Sequence, residues 1–154
     1  MYPYLLLIHS SVRWIVLFFI IFSIFRCILG LISKGSFGKT DHLVRIFTIT
    51  FSHLQLVLGF ILYFQSPIVR SFFFNPTESF FIPEARFFAS THISLMIASV
   101  ILLTIGSAIS KRKKEDPEKF KNLLFWNSIS LFLIFIAIPW PFSPLSQRPY
   151  LRGF

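Results

Sequence analysis

The chain has 154 residues, of which 55% are apolar, 19% aromatic and only 14% charged, with a formal net charge of +9. Soluble domains carry about a quarter charged residues, so this composition belongs to a membrane protein and leaves no room within these residues for a separate soluble catalytic module. A disulfide scaffold is excluded as well, because Cys27 is the only cysteine.

Four stretches, 4–32, 44–64, 86–109 and 123–139, are almost free of charge. Each approaches or exceeds the ~20 helical residues that cross a hydrocarbon core of ~30 Å. They predict an all-α integral membrane protein, a single domain built as a four-helix transmembrane bundle. Pro3 suits the first turn of the first helix. Its apolar run continues to Ile32 with neither the basic start nor the cleavage site of a signal peptide, so it reads as a retained span. Residues 33–38 form a turn. Gly35-Ser36-Phe37-Gly38-Lys39-Thr40 ends like a phosphate-binding loop, but Ser33 stands where its first glycine belongs and a helix precedes it. Asp41 is expected to cap the second helix, which stops at Ser66-Pro67.

The connection 65–84 holds Phe72–Phe74 and Phe80–Phe81. At ~2 kcal/mol for each buried phenylalanine, these clusters are too apolar for a free loop. They are expected in the outer interface, packed over the end of the bundle near His9 and His92. The third helix starts after Pro83; the fourth begins near Pro117 and is ended by Pro139-Trp140-Pro141.

The positive charge is unevenly placed. Lys111, Arg112, Lys113, Lys114, Lys119 and Lys121 separate the third and fourth spans, and Lys34, Lys39 and Arg45 surround the first connection. In a four-span chain these two connections share one face, while Arg70, Arg86, Arg148 and Arg152 fall on the other. The richer side is cytoplasmic, so both termini are expected outside. Orientation and anionic lipid explain the lysine run better than nucleic acid does.

A polar side chain in hydrocarbon needs a reason. Of four histidines, His9, His53 and His92 fall within spans, and His42 in a polar connection. At 1.5 Å of rise per residue they lie ~9, ~16 and ~14 Å from the outer ends of their helices, so three helices bring a histidine to similar depth. His9 shares its stripe with Arg13, Ser23, Cys27 and Gly30, and His92 shares one with Ala85, Ala89, Ser99, Gly106 and Ser110. Small residues mark close helix approach, so both histidines are expected to face the bundle. The second helix carries a polar stripe of Arg45, Thr48, Ser52, Gln55, Gly59 and Tyr63, with His53 one step off its centre. His53 faces either the bundle or a neighbouring subunit of a homo-oligomer.

Two neutral imidazoles from facing helices suit haem b, with an arginine for a propionate and phenylalanines around the ring. A three-histidine zinc or copper site is the other coordination answer. A third reading is non-redox, an assembly subunit or small carrier whose histidines only bond helices together. For Arg13 the choice is between a counter-charge beside His9 and an interfacial anchor next to Trp14. No catalytic constellation of base, acid and nucleophile is present.

His9-Ser10-Ser11-Val12-Arg13-Trp14, His53-Leu54-Gln55 running through Gly59 to Leu62-Tyr63, and Ile138-Pro139-Trp140-Pro141-Phe142 resemble small bacterial four-helix membrane proteins commonly labelled cytochrome b-like. The resemblance covers nearly the whole chain. It implies a bacterial cytoplasmic (inner) membrane, haem b, electron transfer with a quinone or a larger respiratory complex, and His9, Arg13, His53, Gln55 and His92 as the site positions. Thr91 stands where the family pattern has a glutamate before the third-span histidine. On depth, His9 and His92 are the preferred pair of iron ligands and His53 the reserve.

The orientation is testable in whole cells. In a background lacking Cys27, cysteines at Ser36 and Lys113 are expected to resist an impermeant thiol reagent while one at Ser146 reacts. The opposite labelling pattern inverts the topology.

Overall fold

A computed structural model describes residues 1–150; the last four, Arg152 among them, lie outside the described residues. The elements are α1 (Tyr2–Ile32), α2 (Lys39–Gln65), α3 (Pro67–Phe74), α4 (Pro76–Ser79), α5 (Pro83–Arg86), a π-helical turn (Phe87–His92), α6 (Ile93–Arg112) and α7 (Asp116–Ala137). The segment Pro83–Arg112 runs on as one span, so α1, α2, this third span and α7 are four helices long and apolar enough to cross a membrane. The protein is an all-α four-helix bundle and a multi-pass membrane protein. Its outward faces carry large exposed apolar residues such as Phe18, Ile21, Phe25, Ile101 and Phe132, the surface a bilayer covers.

Helix ends reach past the charge-free runs, because apolar stretches measure the hydrocarbon and capping determines where a helix stops. α2 begins at Lys39 rather than near residue 44. Asp41 sits in its first turn, where one carboxylate oxygen accepts the Gly38 N–H at 3.0 Å and the other accepts Arg26 Nε at 2.9 Å. The buried carboxylate thus joins the end of α1 to the start of α2. α1 closes with Lys34 in the left-handed region (φ 50) and Gly35 N–H bonded to the Gly30 carbonyl at 3.0 Å, the six-to-one closure common at helix C-termini. α7 stops at Ala137 rather than 139. Pro139 disfavours the helical region for the residue before it, and Ile138 is extended (ψ 128).

The bundle is cyclic. α1 packs on α2 and α7, α6 packs most extensively on α7, and the α2–α6 seam is the thinnest of the four. Small residues permit the close α6–α7 approach: a Cβ built on Gly106 would lie 2.4 Å from Trp126 Cβ. Asn122 then reaches the Gly106 carbonyl at 2.6 Å and accepts from Trp126 Nε1 at 3.1 Å. Asn127 donates to Ser23 across the buried α1–α7 interface at 2.8 Å. An apolar cluster of Val16, Leu17, Ile20, Leu103, Ile134 and Ile138 fills the middle of the bundle.

The connection between α2 and α5 corrects one expectation. Phe73, Phe74, Phe80 and Phe81 are 62%, 81%, 51% and 79% exposed, so these four do not pack over the bundle end, whereas Phe72 is half-buried. The inward face of α3 covers it instead, through Ile68 and Val69. A helix as short as α3 turns only part of its circumference inward, and its consecutive phenylalanines cannot all share that part. Ser146 is buried whereas Gln147 is exposed, so the cysteine reporter for the end that holds the tail belongs at Gln147.

The Gly106 contact is a stability prediction. Gly106→Val is expected to lower stability by about 1–3 kcal/mol through overpacking, seen as earlier thermal unfolding in detergent. Ser110→Ala removes a buried hydroxyl that has no partner and is expected to be neutral or stabilising.

Candidate functional site

A cavity of about 180 Å³ lies at the end of the bundle that holds both described chain ends. All four spans contribute to it, from Leu6, His9 and Arg13 on α1 to Met96 and Val100 on α6 and Ile134 and Ile138 near the end of α7. Its walls are largely apolar, and its polar groups come from few residues.

His9 and His92 are brought together. Their ring centroids are 6.5 Å apart with planes inclined at 69°. His92 is the last residue of the π-helical turn, and its Nδ1 lies 2.7 Å from the carbonyl of Ala137. A carbonyl only accepts, so Nδ1 carries the proton and Nε2 keeps its lone pair. Phe87 and Phe88 flank the same ring, each with its centroid 5.8 Å away.

His9 is held differently. Gln55 Nε2 donates to the His9 backbone carbonyl at 2.9 Å, which fixes the chain rather than the ring. The ring fits against Gly59, where a Cβ would come within 3.3 Å of His9 Cε1. Nδ1 of His9 and Oε1 of Gln55 are both buried without a hydrogen-bond partner. Gln55 therefore belongs to the cavity, with its acceptor oxygen unused.

His53 is not brought to this cavity. It is exposed, on the outer side of the α2–α6 seam. Its Nε2 lies 3.3 Å from Thr104 Oγ1, whose own proton goes to the Val100 carbonyl at 2.7 Å. His53 is accordingly the donor, and Nε2 carries its proton. One residue step is 100° on a helix, which is enough to turn His53 away while Ser52 and Gln55 face inward. The three-histidine convergence inferred from depth is thus reduced to a pair, and among the described residues no group of three His, Cys, Asp or Glu side chains is placed to hold a metal.

Arg13 lines the cavity but is largely occupied. It donates through Nη2 to the Tyr150 carbonyl, and its guanidinium lies 5.4 and 5.9 Å from the Trp14 and Trp140 ring centroids. Its Nε is buried without an acceptor. Trp14 Nε1 donates to the same Tyr150 carbonyl at 3.2 Å. Arg148 pairs with Glu84 at the start of the third span and lies over Phe88. Residues 148–150 therefore cross the cavity mouth, tied to both α1 and the third span.

Several features of the site were not singled out from the sequence. The π-helical turn has no proline or glycine to announce it. The strap formed by the tail depends on long-range pairs. The Ala137 carbonyl did have a signal, since Pro141 four residues later has no N–H to offer it. No family model, no curated protein and no solved structure matches the chain.

Proposed function

We propose that the protein is a membrane-embedded b-type haem protein that transfers electrons, set in a bacterial cytoplasmic membrane with both termini outside. The observation that carries this reading is the His9–His92 pair. The two rings come from different helices, line one cavity and have centroids 6.5 Å apart, and they are the residues that would hold the iron. The donors fit: His92 presents an unprotonated Nε2, Arg13 Nε is a buried donor left for a propionate, and Phe88 and Met96 supply apolar walls. The enclosed volume of about 180 Å³ is below the ~300–1,000 Å³ of organic ligand sites. Haem uptake therefore requires the cavity to widen.

When bound, haem supplies reversible one-electron chemistry. The chain's part is to orient two nitrogens, exclude water and keep the site within reach of a lipid-soluble partner. A quinone fits that last role, arriving from the bilayer, as does a larger respiratory complex docked at the same end. Gln55 and Tyr63 position the walls, the first through the His9 carbonyl and the second by donating to the Ala89 carbonyl at 2.8 Å.

One observation favours a second, non-redox reading: His53 and His92 each make a hydrogen bond to another helix, as expected of an assembly subunit or small carrier. A reduced-minus-oxidised spectrum of protein expressed with ample haem separates the two. A low-spin b-type band is expected, abolished by His92→Ala and by His9→Ala and retained in His53→Ala and His42→Ala. Colourless, metal-free wild-type protein would sink the haem reading. On the second reading His92→Ala lowers stability by about 1–3 kcal/mol, the cost of a buried carbonyl left without its donor, and changes no spectrum.

A further inference from the structure

The end of α7 can be accounted for carbonyl by carbonyl. In a continuing helix each carbonyl accepts from the N–H four residues on. Ile134 does so, from Ile138 at 2.9 Å. The donors due to Phe135 and Ala137 would come from residues 139 and 141, and both are proline, which has no N–H. Trp140 N–H turns back to the Ile138 carbonyl at 2.9 Å. Three carbonyls thereby lose their helical donors, those of Phe135, Ile136 and Ala137, and two of them receive a side chain: Trp140 Nε1 donates to Phe135 at 2.8 Å, and His92 Nδ1 donates to Ala137 at 2.7 Å.

We propose that the Pro139-Trp140-Pro141 break is the positioning device for His92. It strips the Ala137 carbonyl of its helical donor, and that carbonyl then holds the His92 ring in one tautomer with Nε2 free to bind. Pro139 also lines the cavity, but the effect of the two prolines on His92 runs through a backbone oxygen to a side chain of a different helix. Ala137 is buried, and a buried carbonyl and an imidazole N–H beside it each lose free energy if left unpaired, so the pairing is favoured from both sides. Held this way, the imidazole is also a more basic ligand through Nε2. That consequence rests on the haem reading, whereas the tautomer does not.

The test uses the full chain in lipid nanodiscs, labelled with ¹⁵N-histidine, with the His92 signals assigned by their loss in His92→Gln. Protonated and unprotonated ring nitrogens resonate far apart. Wild-type His92 is expected to show a protonated Nδ1 and an unprotonated Nε2. Pro139→Ala/Pro141→Ala lets residues 139 and 141 donate again, and is expected to populate the second tautomer substantially. Pro139→Ala alone, the milder change, should do so to a smaller extent and keeps the test open if the double variant fails to fold. A wild-type proton on Nε2, or a His92 ring whose tautomer is unchanged in the folded variants, overturns the proposal. In haem-loaded protein the double variant should keep its bis-imidazole spectrum while its midpoint potential rises, since a less basic ligand favours the oxidised iron less. Wild-type protein with the Nδ1–H tautomer that takes up no haem overturns the haem reading and leaves the positioning of His92 standing.

Discussion

In hydrocarbon an unpaired backbone carbonyl costs several kcal/mol, and no water is present to relieve it. Wherever a spanning helix departs from regular α geometry, a side chain must therefore be brought in. This chain departs twice at the same end of the bundle. The π-helical turn lies in the third span, where the Ala89 carbonyl takes the Tyr63 hydroxyl. The proline-terminated end of α7 frees the Ala137 carbonyl, which takes His92. The Tyr63 and His92 bonds both cross to another helix, so they tie α2, the third span and α7 together around the cavity. π-turns recur at functional sites in helical proteins, and the last residue of this one is the histidine that the α7 carbonyl captures.

The two histidines are consequently unequal. His92 has its ring pinned through Nδ1 and flanked by Phe87 and Phe88, so one nitrogen is committed and the other is defined. His9 has its backbone pinned by Gln55 while its ring rests against Gly59, with Nδ1 unbonded. A pair built this way has a fixed member and an adaptable one. A Cβ at Gly59 would lie 3.3 Å from His9 Cε1, so the ring would have to shift by a few tenths of an ångström to admit a side chain there.

Much of this was legible in the sequence, for identifiable reasons. Charge-free runs of span length gave the four helices because hydrocarbon tolerates little else. Counting rise from Pro3 and Pro83 put His9 and His92 at nearly the same depth because both helices start at the same membrane face. The same count put His53 at a comparable depth but said nothing certain of azimuth, and 100° per residue is the difference between the cavity and the outer surface. The aromatic connection was misread for a related reason. Burial was inferred from composition, but a two-turn helix cannot turn three consecutive phenylalanines inward, and Phe73 and Phe74 face out. Helix ends were misjudged where polar capping, as at Asp41, carries a helix beyond its apolar run.

The cavity's position at one end of the bundle would expose it to the aqueous face, were it not for what crosses the mouth. α3 follows α2 after a single residue, Ser66, whose hydroxyl accepts the Val69 N–H at 3.4 Å. That cap turns the chain sharply enough to lay Ile68 and Val69 over the opening. From the other side residues 148–150 are held by Arg13 and Trp14 at the Tyr150 carbonyl and by Glu84 at Arg148. These contacts involve charged or polar groups at the membrane edge, where water competes with them and single ion pairs contribute ~0–1 kcal/mol. The closure across the mouth is thus the weakly held part of the site and the pairing of His92 with the Ala137 carbonyl the strongly held part.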